Sequence, residues 1–190
     1  MEDYLKSHCK CQALFQSTFQ SSWLDDRFKR SLELINGQAP ISTLVKEGLM
    51  TEIFPNIYSL PVFTPELCNL ILAETESYLE YAAQNDVAVH RPNSMNKYGL
   101  VLNQMGMLDL LTDFQQQFLQ SLSRALYPVE ASAFSGHHSF IVSYAPDKDR
   151  ALDMHTDDSD VTWNICLGKE GFEGSGLTFC GMICYSLDVR

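Results

Sequence analysis

The 190-residue sequence lacks any apolar run long enough to cross a bilayer, and its start, "MEDYLKSHCKC", lacks the apolar core of a signal peptide. Positive charge is also scarce: 13 Lys and Arg stand against 24 Asp and Glu, for a net charge of −11. This balance argues against a surface that binds nucleic acid or anionic lipid. We therefore expect an intracellular protein, cytoplasmic or nuclear, whose partners include neither nucleic acid nor a membrane.

Cysteine is sparse and scattered, with six residues in the chain, which favours free thiols over a disulfide framework. "HCKC" resembles half of a zinc site, but no second pair follows at finger spacing, so we expect a mobile terminus. Asp158 and Asp160 lack the Gly and distant Glu of a calcium loop. The chain also has neither a Gly-x-Ser-x-Gly nucleophile elbow nor a phosphate-binding loop.

Apolar residues make up 45% of the chain and aromatic residues 11%, enough to build a core. Apolar spacing predicts helices over 12–36, from Thr64 to about Ala82, and over 107–126. Three later stretches predict strands: "HHSFIVSYAP", the alternating run Val161–Leu167, and "LTFCGMICYSL". Helices followed by strands indicate an α+β fold with the helices packed on one face of a β core.

One short motif, His155-Thr156-Asp157, contains two metal-ligating side chains. Residues i and i+2 of a strand share a face, so both side chains could converge on one ion. An imidazole, a carboxylate and a third ligand form the facial triad of non-haem iron oxygenases. The surrounding aspartates are also typical of a solvated loop, and the spacing alone favours that interpretation.

The longer stretch "SFIVSYAPDKDRALDMHTDDSDVTWNICLGKEGFEGSGLTF" resembles the core of the iron(II)- and 2-oxoglutarate-dependent dioxygenases, in particular their prolyl and lysyl hydroxylase branch. In order, it has a strand ending in Tyr144, His155-x-Asp157, an alternating strand, and the Gly-rich turn before "LTF". "YSLPVFTPELCNLIL" and "RPNSMNKYGLVL" are similar to upstream segments of this superfamily, so the resemblance covers roughly residues 57–184.

The resemblance implies an N-terminal helical segment, residues 1–56, and a dioxygenase domain, residues 57–190, built on an incomplete double-stranded β-helix, or jelly roll. It implies that His155 and Asp157 bind Fe²⁺, and that Tyr144 and Asn164 bind the co-substrate 2-oxoglutarate. O₂ would be the other co-substrate, L-ascorbate the reductant, and the substrate a protein or peptide, hydroxylated at Pro or Lys. From the residues alone, the favoured interpretation of Tyr144 is a strand-end aromatic, and that of Asn164 is a polar strand position.

The chain departs from this family in one respect. The family has a second metal-binding His, and an Arg or Lys beyond it that pairs with 2-oxoglutarate. No His follows His155 here, and the only later basic residues are Lys169 and Arg190. His137 or His138 could approach the site, although no spacing requires it. We expect a C-terminally truncated product with weak or no activity; the alternative is a natural short form that is an inactive jelly-roll or binding fragment.

Overall fold

Six α-helices and three two-stranded antiparallel sheets form the part of the chain that the computed structural model describes, residues 1–168, 174, 176–180 and 184–188. Helix makes up 40% and strand 12%, which confirms the mixed helix and strand content. The jelly-roll core stays a prediction. The elements in chain order are α1 (Glu2–Ser7), α2 (Asp26–Asn36), α3 (Ile41–Lys46), β1 (Thr51–Phe54), β2 (Ile57–Ser59), α4 (Pro65–Gln84), β3 (Gly99–Val101), α5 (Leu108–Phe114), α6 (Gln120–Leu126), β4 (Phe140–Val142), β5 (Gly176–Cys180) and β6 (Cys184–Asp188).

Helix α4 begins where the sequence predicts. The Thr64 hydroxyl accepts a hydrogen bond from the backbone N–H of Leu67, and Pro65 occupies the first turn, where no backbone N–H is needed. Glu66 places a carboxylate at the positive end of the helix dipole. Within the described part of the chain, no helix combines the length and apolar character that crossing a membrane requires.

The predicted helix over 12–36 is confirmed only in its second half. Two 3₁₀ turns, Gln12–Phe15 and Ser21–Trp23, precede α2, whose first turn is capped by the side chain of Asp25. The chain just before α2 is extended because it pairs with the segment before α4. The N–H of Asp25 donates to the Val62 carbonyl at 2.9 Å, and the N–H of Thr64 donates to the Trp23 carbonyl at 2.8 Å. Backbone hydrogen bonds to residues 62–64, which are remote in sequence, thus take the place of helical hydrogen bonds in this segment.

The predicted helix over 107–126 is confirmed, with one irregularity. Its middle turn, Gln115–Leu119, is a π-helix between α5 and α6. A π turn inserts one residue into an α-helix, which rotates the face presented by everything that follows. Helix α6 then packs against α2.

Strand β3 approaches β4 too closely for any side chain at Gly99. The pairs are Gly99 with Val142, Leu100 with Ile141, and Val101 with Phe140. A Cβ atom at position 99 would lie 1.9 Å from the Ile141 carbonyl oxygen, and the φ angle of Gly99 is 138°. Only glycine tolerates both conditions, so this residue fixes the approach of the two strands.

Strands β5 and β6 form an antiparallel pair in which Leu177 lies opposite Leu187. This pairing confirms the predicted β character of "LTFCGMICYSL" for residues 177–180 and 184–187, and residues 181–183 lie outside the described residues. Most of the predicted turn before β5, residues 169–173 and 175, lies outside the described residues. So do the basic residues Lys169 and Arg190.

The hydrophobic core draws on both predicted segments, 1–56 and 57–190. Its fully buried side chains include Tyr4, Leu14, Phe28, Leu44, Leu67, Leu100, Met105, Leu110 and Leu122. The expectation of a mobile N-terminus is therefore wrong: Tyr4 is completely buried against the rest of the core. Burial of an aromatic ring holds the first turns of the chain in place.

Candidate functional site

The two predicted metal ligands meet in the structure. The Nε2 atom of His155 lies 3.2 Å from Oδ1 of Asp157, and the two side chains are 37% and 46% exposed. They do not lie on a strand: residues 151–168 are irregular. The predicted strand geometry is therefore wrong, although the convergence that it was used to predict is observed.

Local hydrogen bonds hold both side chains in this arrangement. Nδ1 of His155 lies 2.9 Å from the carbonyl oxygen of Asp153, which only accepts, so Nδ1 carries the hydrogen. The hydroxyl of Thr162 donates to Oδ2 of Asp157 at 2.6 Å. Ser159 in turn donates to Thr162 at 2.9 Å, because the single hydroxyl hydrogen of Thr162 is already used. Both ligating groups are thus oriented by a partner on the far side.

This orientation leaves two electron-rich atoms facing each other. With its hydrogen on Nδ1, a neutral His155 would turn the Nε2 lone pair toward the carboxylate oxygen of Asp157. Two such atoms repel at 3.2 Å unless a positive charge lies between or beside them. A proton on Nε2 or a bound metal ion supplies that charge. The geometry therefore fits an ordinary His–Asp ion pair as well as two ligands of a metal ion.

The spacing of the pair suits a metal ion. Adjacent ligand atoms around an octahedral ion with bonds of about 2.1 Å lie about 3 Å apart, close to the distance between Nε2 of His155 and Oδ1 of Asp157. A nitrogen and a carboxylate oxygen are also the donor types of a non-haem iron site. Among the described residues, no group of three or more His, Cys, Asp or Glu side chains is arranged to hold a metal. The structure thus brings together two of the three side chains that the prediction of an iron site requires.

The segment after the pair is anchored by Trp163. Its indole N–H donates to the hydroxyl of Ser123 at 3.0 Å, and its ring meets that of Phe28 edge to face at 6.5 Å. Ile165 and Leu167 also pack on the core, so the alternation of the sequence correctly predicts the buried face. The predicted strand Val161–Leu167 is wrong, since residues 162–168 pair with no strand in the described part of the chain. Alternation specifies a face, while a strand also needs a hydrogen-bonding neighbour.

Tyr144, the predicted co-substrate ligand, lies beyond the end of β4 and is 52% exposed. Its hydroxyl accepts a hydrogen bond from the side-chain amide of Asn96 at 3.4 Å. Asn96 is buried, and its amide also reaches Oδ2 of Asp149 at 3.5 Å. The backbone N–H groups of Tyr98 and Lys97 donate to the same carboxylate oxygen, and they hold the pKa of Asp149 below its usual range. Tyr144 thus contacts a polar network whose central residue, Asn96, is buried.

Asn164, the other predicted co-substrate ligand, is exposed and follows the anchored Trp163. Among the described residues, no hydrogen bond joins Tyr144 or Asn164 to His155 or Asp157. The assignment of both residues to 2-oxoglutarate stays a prediction.

His137 and His138, which were considered as a third ligand, are engaged elsewhere. The two ring nitrogens of His137 lie 3.0 Å from the Thr112 hydroxyl and 2.8 Å from the Ser139 hydroxyl. Burial, with the neighbouring His138, lowers the pKa of His137. His138 donates from Nε2 to the carbonyl of Pro92 at 3.1 Å.

An open groove of about 490 Å³ borders His137 and the π turn. Its lining includes Thr112, Gln115, Gln116 and Phe134, and none of the four predicted site residues. Among the described residues that line the groove there is no Lys, Arg, Asp or Glu, which gives this lining a neutral, hydrogen-bonding character. The volume of the groove alone therefore does not identify the site.

Neither Asn96 nor Asp149 was predicted from the sequence. The signal for Asn96 lay in "RPNSMNKYG", where two Asn three residues apart favour a side-chain-capped turn. Asp149 carried no signal, since it reads as one more charge in "PDKDR".

Comparison with known proteins adds independent information. The family described as OGFOD2-like domain matches residues 6–131. A 2-oxoglutarate and iron-dependent oxygenase domain-containing protein ICU11 from Arabidopsis thaliana is 36% identical over 136 residues, covering 71% of this chain and 34% of that protein. The 2-oxoglutarate and iron-dependent oxygenase domain-containing protein 2 of Homo sapiens is 40% identical over 128 residues, covering 66% of this chain and 35% of its own length.

A more distant similarity extends to a named hydroxylase. The human multifunctional procollagen lysine hydroxylase and glycosyltransferase LH3 is 26% identical over 150 residues, which cover 73% of this chain and 19% of that protein. The chain spans about a third of the length of the two oxygenase-domain relatives. No solved structure matches it.

Proposed function

The chain belongs to the family of OGFOD2-like domains, and from this membership we propose that His155 and Asp157 form part of the iron site of a 2-oxoglutarate-dependent dioxygenase. Relatives named for 2-oxoglutarate and iron confirm the resemblance of the sequence to this oxygenase family. The single observation that carries the proposal is the 3.2 Å approach of Nε2 of His155 to Oδ1 of Asp157, with both groups oriented from behind.

The overall reaction would convert 2-oxoglutarate, O₂ and a substrate C–H group into succinate, CO₂ and the hydroxylated substrate. Bound ferrous iron would supply the activation of oxygen, and L-ascorbate would keep that iron reduced. His155 and Asp157 would hold the metal on one side and leave adjacent positions for the co-substrates. Tyr144 would donate its O–H to a carboxylate of 2-oxoglutarate, and Asn164 would contact the same molecule.

The substrate class is proposed from similarity alone. The name of the human relative LH3 includes lysine hydroxylation of procollagen. We infer a protein or peptide substrate, hydroxylated at Lys or Pro, for the domain that spans residues 57–190. The jelly-roll core of that domain is part of the same proposal, as the scaffold typical of such sites.

A second candidate function is a binding domain without turnover. Two protein ligands, and not three, come together among the described residues. Metal affinity depends on the number of ligands and on their preset geometry, so a two-ligand site binds weakly.

The first test is an anaerobic titration of the 190-residue chain with Mn(II) in the presence of 2-oxoglutarate, followed by the loss of the free Mn(II) spin-resonance signal. We expect His155→Ala and Asp157→Ala each to weaken binding at least about tenfold, since each removes one of two ligands. His90→Ala and Asp158→Ala are matched controls from the same chain and should bind like the wild type. Equal binding by wild type and His155→Ala would overturn the proposed iron site.

The second test separates the enzyme from the binding domain. The chain is incubated with Fe(II), 2-oxoglutarate, L-ascorbate, O₂ and Lys- or Pro-containing peptides, and succinate and the gain of one oxygen atom in the peptide are measured. Succinate formation by the wild type that is lost in His155→Ala supports the dioxygenase. Mn(II) binding without any succinate supports the binding domain.

A further inference from the structure

The hydroxyl of Tyr144 is hydrogen-bonded to a series of two side-chain amides, those of Asn96 and Asn93, and the hydrogen bonds of these amides fix which atom of each is oxygen and which is nitrogen. Oδ1 of Asn93 accepts from the backbone N–H groups of Met95 at 2.8 Å and Asn96 at 2.7 Å. A backbone N–H can only donate, so the oxygen of the Asn93 amide faces the backbone. Its nitrogen then points the other way and donates to Oδ1 of Asn96 at 3.0 Å.

The orientation of Asn96 follows from its two neighbours. Its Oδ1 receives the Asn93 amide, so its Nδ2 faces Tyr144 and Asp149. The opposite orientation would place an amide oxygen against the Asp149 carboxylate, which can only accept. Asp149 is itself held by the N–H groups of Lys97 at 2.7 Å and Tyr98 at 3.0 Å. Asn96 is 1% exposed, so water does not compete for its hydrogens.

Each hydrogen in the hydrogen-bonded series from Asn93 through Asn96 to Tyr144 can be assigned to an acceptor. Asn96 has two N–H hydrogens, one for the Tyr144 oxygen at 3.4 Å and one for Oδ2 of Asp149 at 3.5 Å. The Tyr144 oxygen is therefore an acceptor toward the protein interior, and its own hydrogen is left for a partner on the exposed side. Accepting a hydrogen bond also strengthens the O–H group as a donor.

We propose that Asn96 is a positioning residue that turns the O–H of Tyr144 outward, toward a carboxylate group of 2-oxoglutarate. A carboxylate only accepts hydrogen bonds, so it needs a tyrosine whose hydrogen is not used within the protein. The inference deepens the proposed function and rests on it. Asn96 acts through Tyr144, and Asp149 keeps the Asn96 amide in place.

The first arm of the test needs no ligand. The protein is labelled with tyrosine carrying carbon-13 at Cζ, and the Tyr144 signal is assigned by its loss in Tyr144→Phe. Removal of the donor in Asn96→Ala should move this signal, because the chemical shift of Cζ responds to hydrogen bonding at the phenol oxygen. Asn85→Ala is the matched control, since Asn85 caps α4 through a bond to the Tyr81 carbonyl. An unchanged Tyr144 signal in Asn96→Ala would overturn the inference by itself.

The second arm measures the affinity for 2-oxoglutarate with Mn(II) present. Asn96→Ala and Tyr144→Phe should each weaken binding about tenfold, and the double variant should be no weaker than Tyr144→Phe alone. Asn96→Ser, which keeps a hydroxyl donor, should recover part of the loss and serves if Asn96→Ala does not fold.

The two arms separate two kinds of failure. If Asn96→Ala and the wild type bind 2-oxoglutarate with the same affinity, the positioning role of Asn96 is overturned and the proposed function stands. If the wild type binds no 2-oxoglutarate while Asn96→Ala still moves the Tyr144 signal, the proposed function is overturned together with 2-oxoglutarate as the partner of the Tyr144 O–H, and the hydrogen bond from Asn96 to Tyr144 stands.

Discussion

The hydroxyl of Tyr4 donates a hydrogen bond to the carboxylate of Glu74, and both side chains are completely buried. The other carboxylate oxygen accepts from the backbone N–H groups of Lys10 at 2.9 Å and Cys11 at 2.7 Å. Nearby on α4, the Ser77 hydroxyl donates to the His8 carbonyl at 2.8 Å. One face of α4 thus holds the first turns of the chain.

Glu74→Gln should destabilise the protein by about 1–3 kcal/mol, because a neutral amide replaces a carboxylate that accepts from three buried or half-buried donors. Urea denaturation measures this difference as a lower midpoint with an unchanged slope. Glu80→Gln changes an exposed position of the same helix and should leave the midpoint within about 0.5 kcal/mol of the wild type. Equal losses in both variants would show that Glu74 has no special role.

Cys9 should react slowly with alkylating reagents while the protein is folded. Burial, assisted by the Glu74 carboxylate, raises the pKa of the Cys9 thiol to about 11. About one Cys9 in a hundred is then a thiolate at pH 9, where an ordinary thiol, with a pKa of about 8.5, is about three-quarters ionised. Mass spectrometry of the Cys9 peptide after timed iodoacetamide treatment should show a rate at least about tenfold below that of the urea-unfolded protein. Equal rates would contradict the burial of this thiol.

Thr162→Val should weaken metal binding while keeping both ligands. The Thr162 hydroxyl orients Asp157 by donating to its Oδ2, and loss of such a partner typically costs about 10- to 100-fold in metal affinity. The Mn(II) titration described above measures the change. Thr156→Val, between the two ligands, is the matched control, and an equal loss there would assign the effect to the loop as a whole.

The stability of the protein should fall as the solution is acidified through the range in which an ordinary histidine titrates. The pKa of His137 is lowered by burial, so the unfolded chain binds this proton at a higher pH than the folded chain does. The contribution of the neutral ring is complete above about pH 6.5, declines below that value, and is lost once the pH has passed the folded-state pKa. Denaturation midpoints at about pH 7 and pH 5 should therefore differ less in His137→Gln than in the wild type. His90→Gln should retain the wild-type difference.

Local features of the fold, such as the start of α4 and the helix over 107–126, could be predicted from the sequence because they depend on residues close together in the chain. Thr64 and Pro65 start α4 through a cap and a ring that act within one turn. The helix over 107–126 follows from apolar spacing alone. The extended chain before α2 was missed because it depends on pairing with residues 62–64, which are remote in sequence.

The candidate site also has a part that depends on local sequence and a part that depends on residues remote in the chain. His155 and Asp157 could be named from a three-residue spacing, and their convergence is made by hydrogen bonds to Asp153 and Thr162, all within ten positions. The support for Tyr144 could not be foreseen, because Asn96 lies 48 positions upstream. Its partner Asp149 is 53 positions from Asn96.

The sequence by itself determined the start of α4, the helical span 107–126, the buried face of residues 161–167, the two predicted metal ligands and the family. Each of these depends on residue type and short-range spacing, which the chain carries into any compact state. Three contacts were decided by tertiary structure alone. The Glu74 carboxylate binds backbone N–H groups of the N-terminal segment, and Gly99 allows β4 to pack closely against β3. Asn96 and Asp149 form a hydrogen-bonded pair that supports Tyr144. Those relationships join residues far apart in the chain, where burial converts an ordinary polar side chain into one that must find a specific partner.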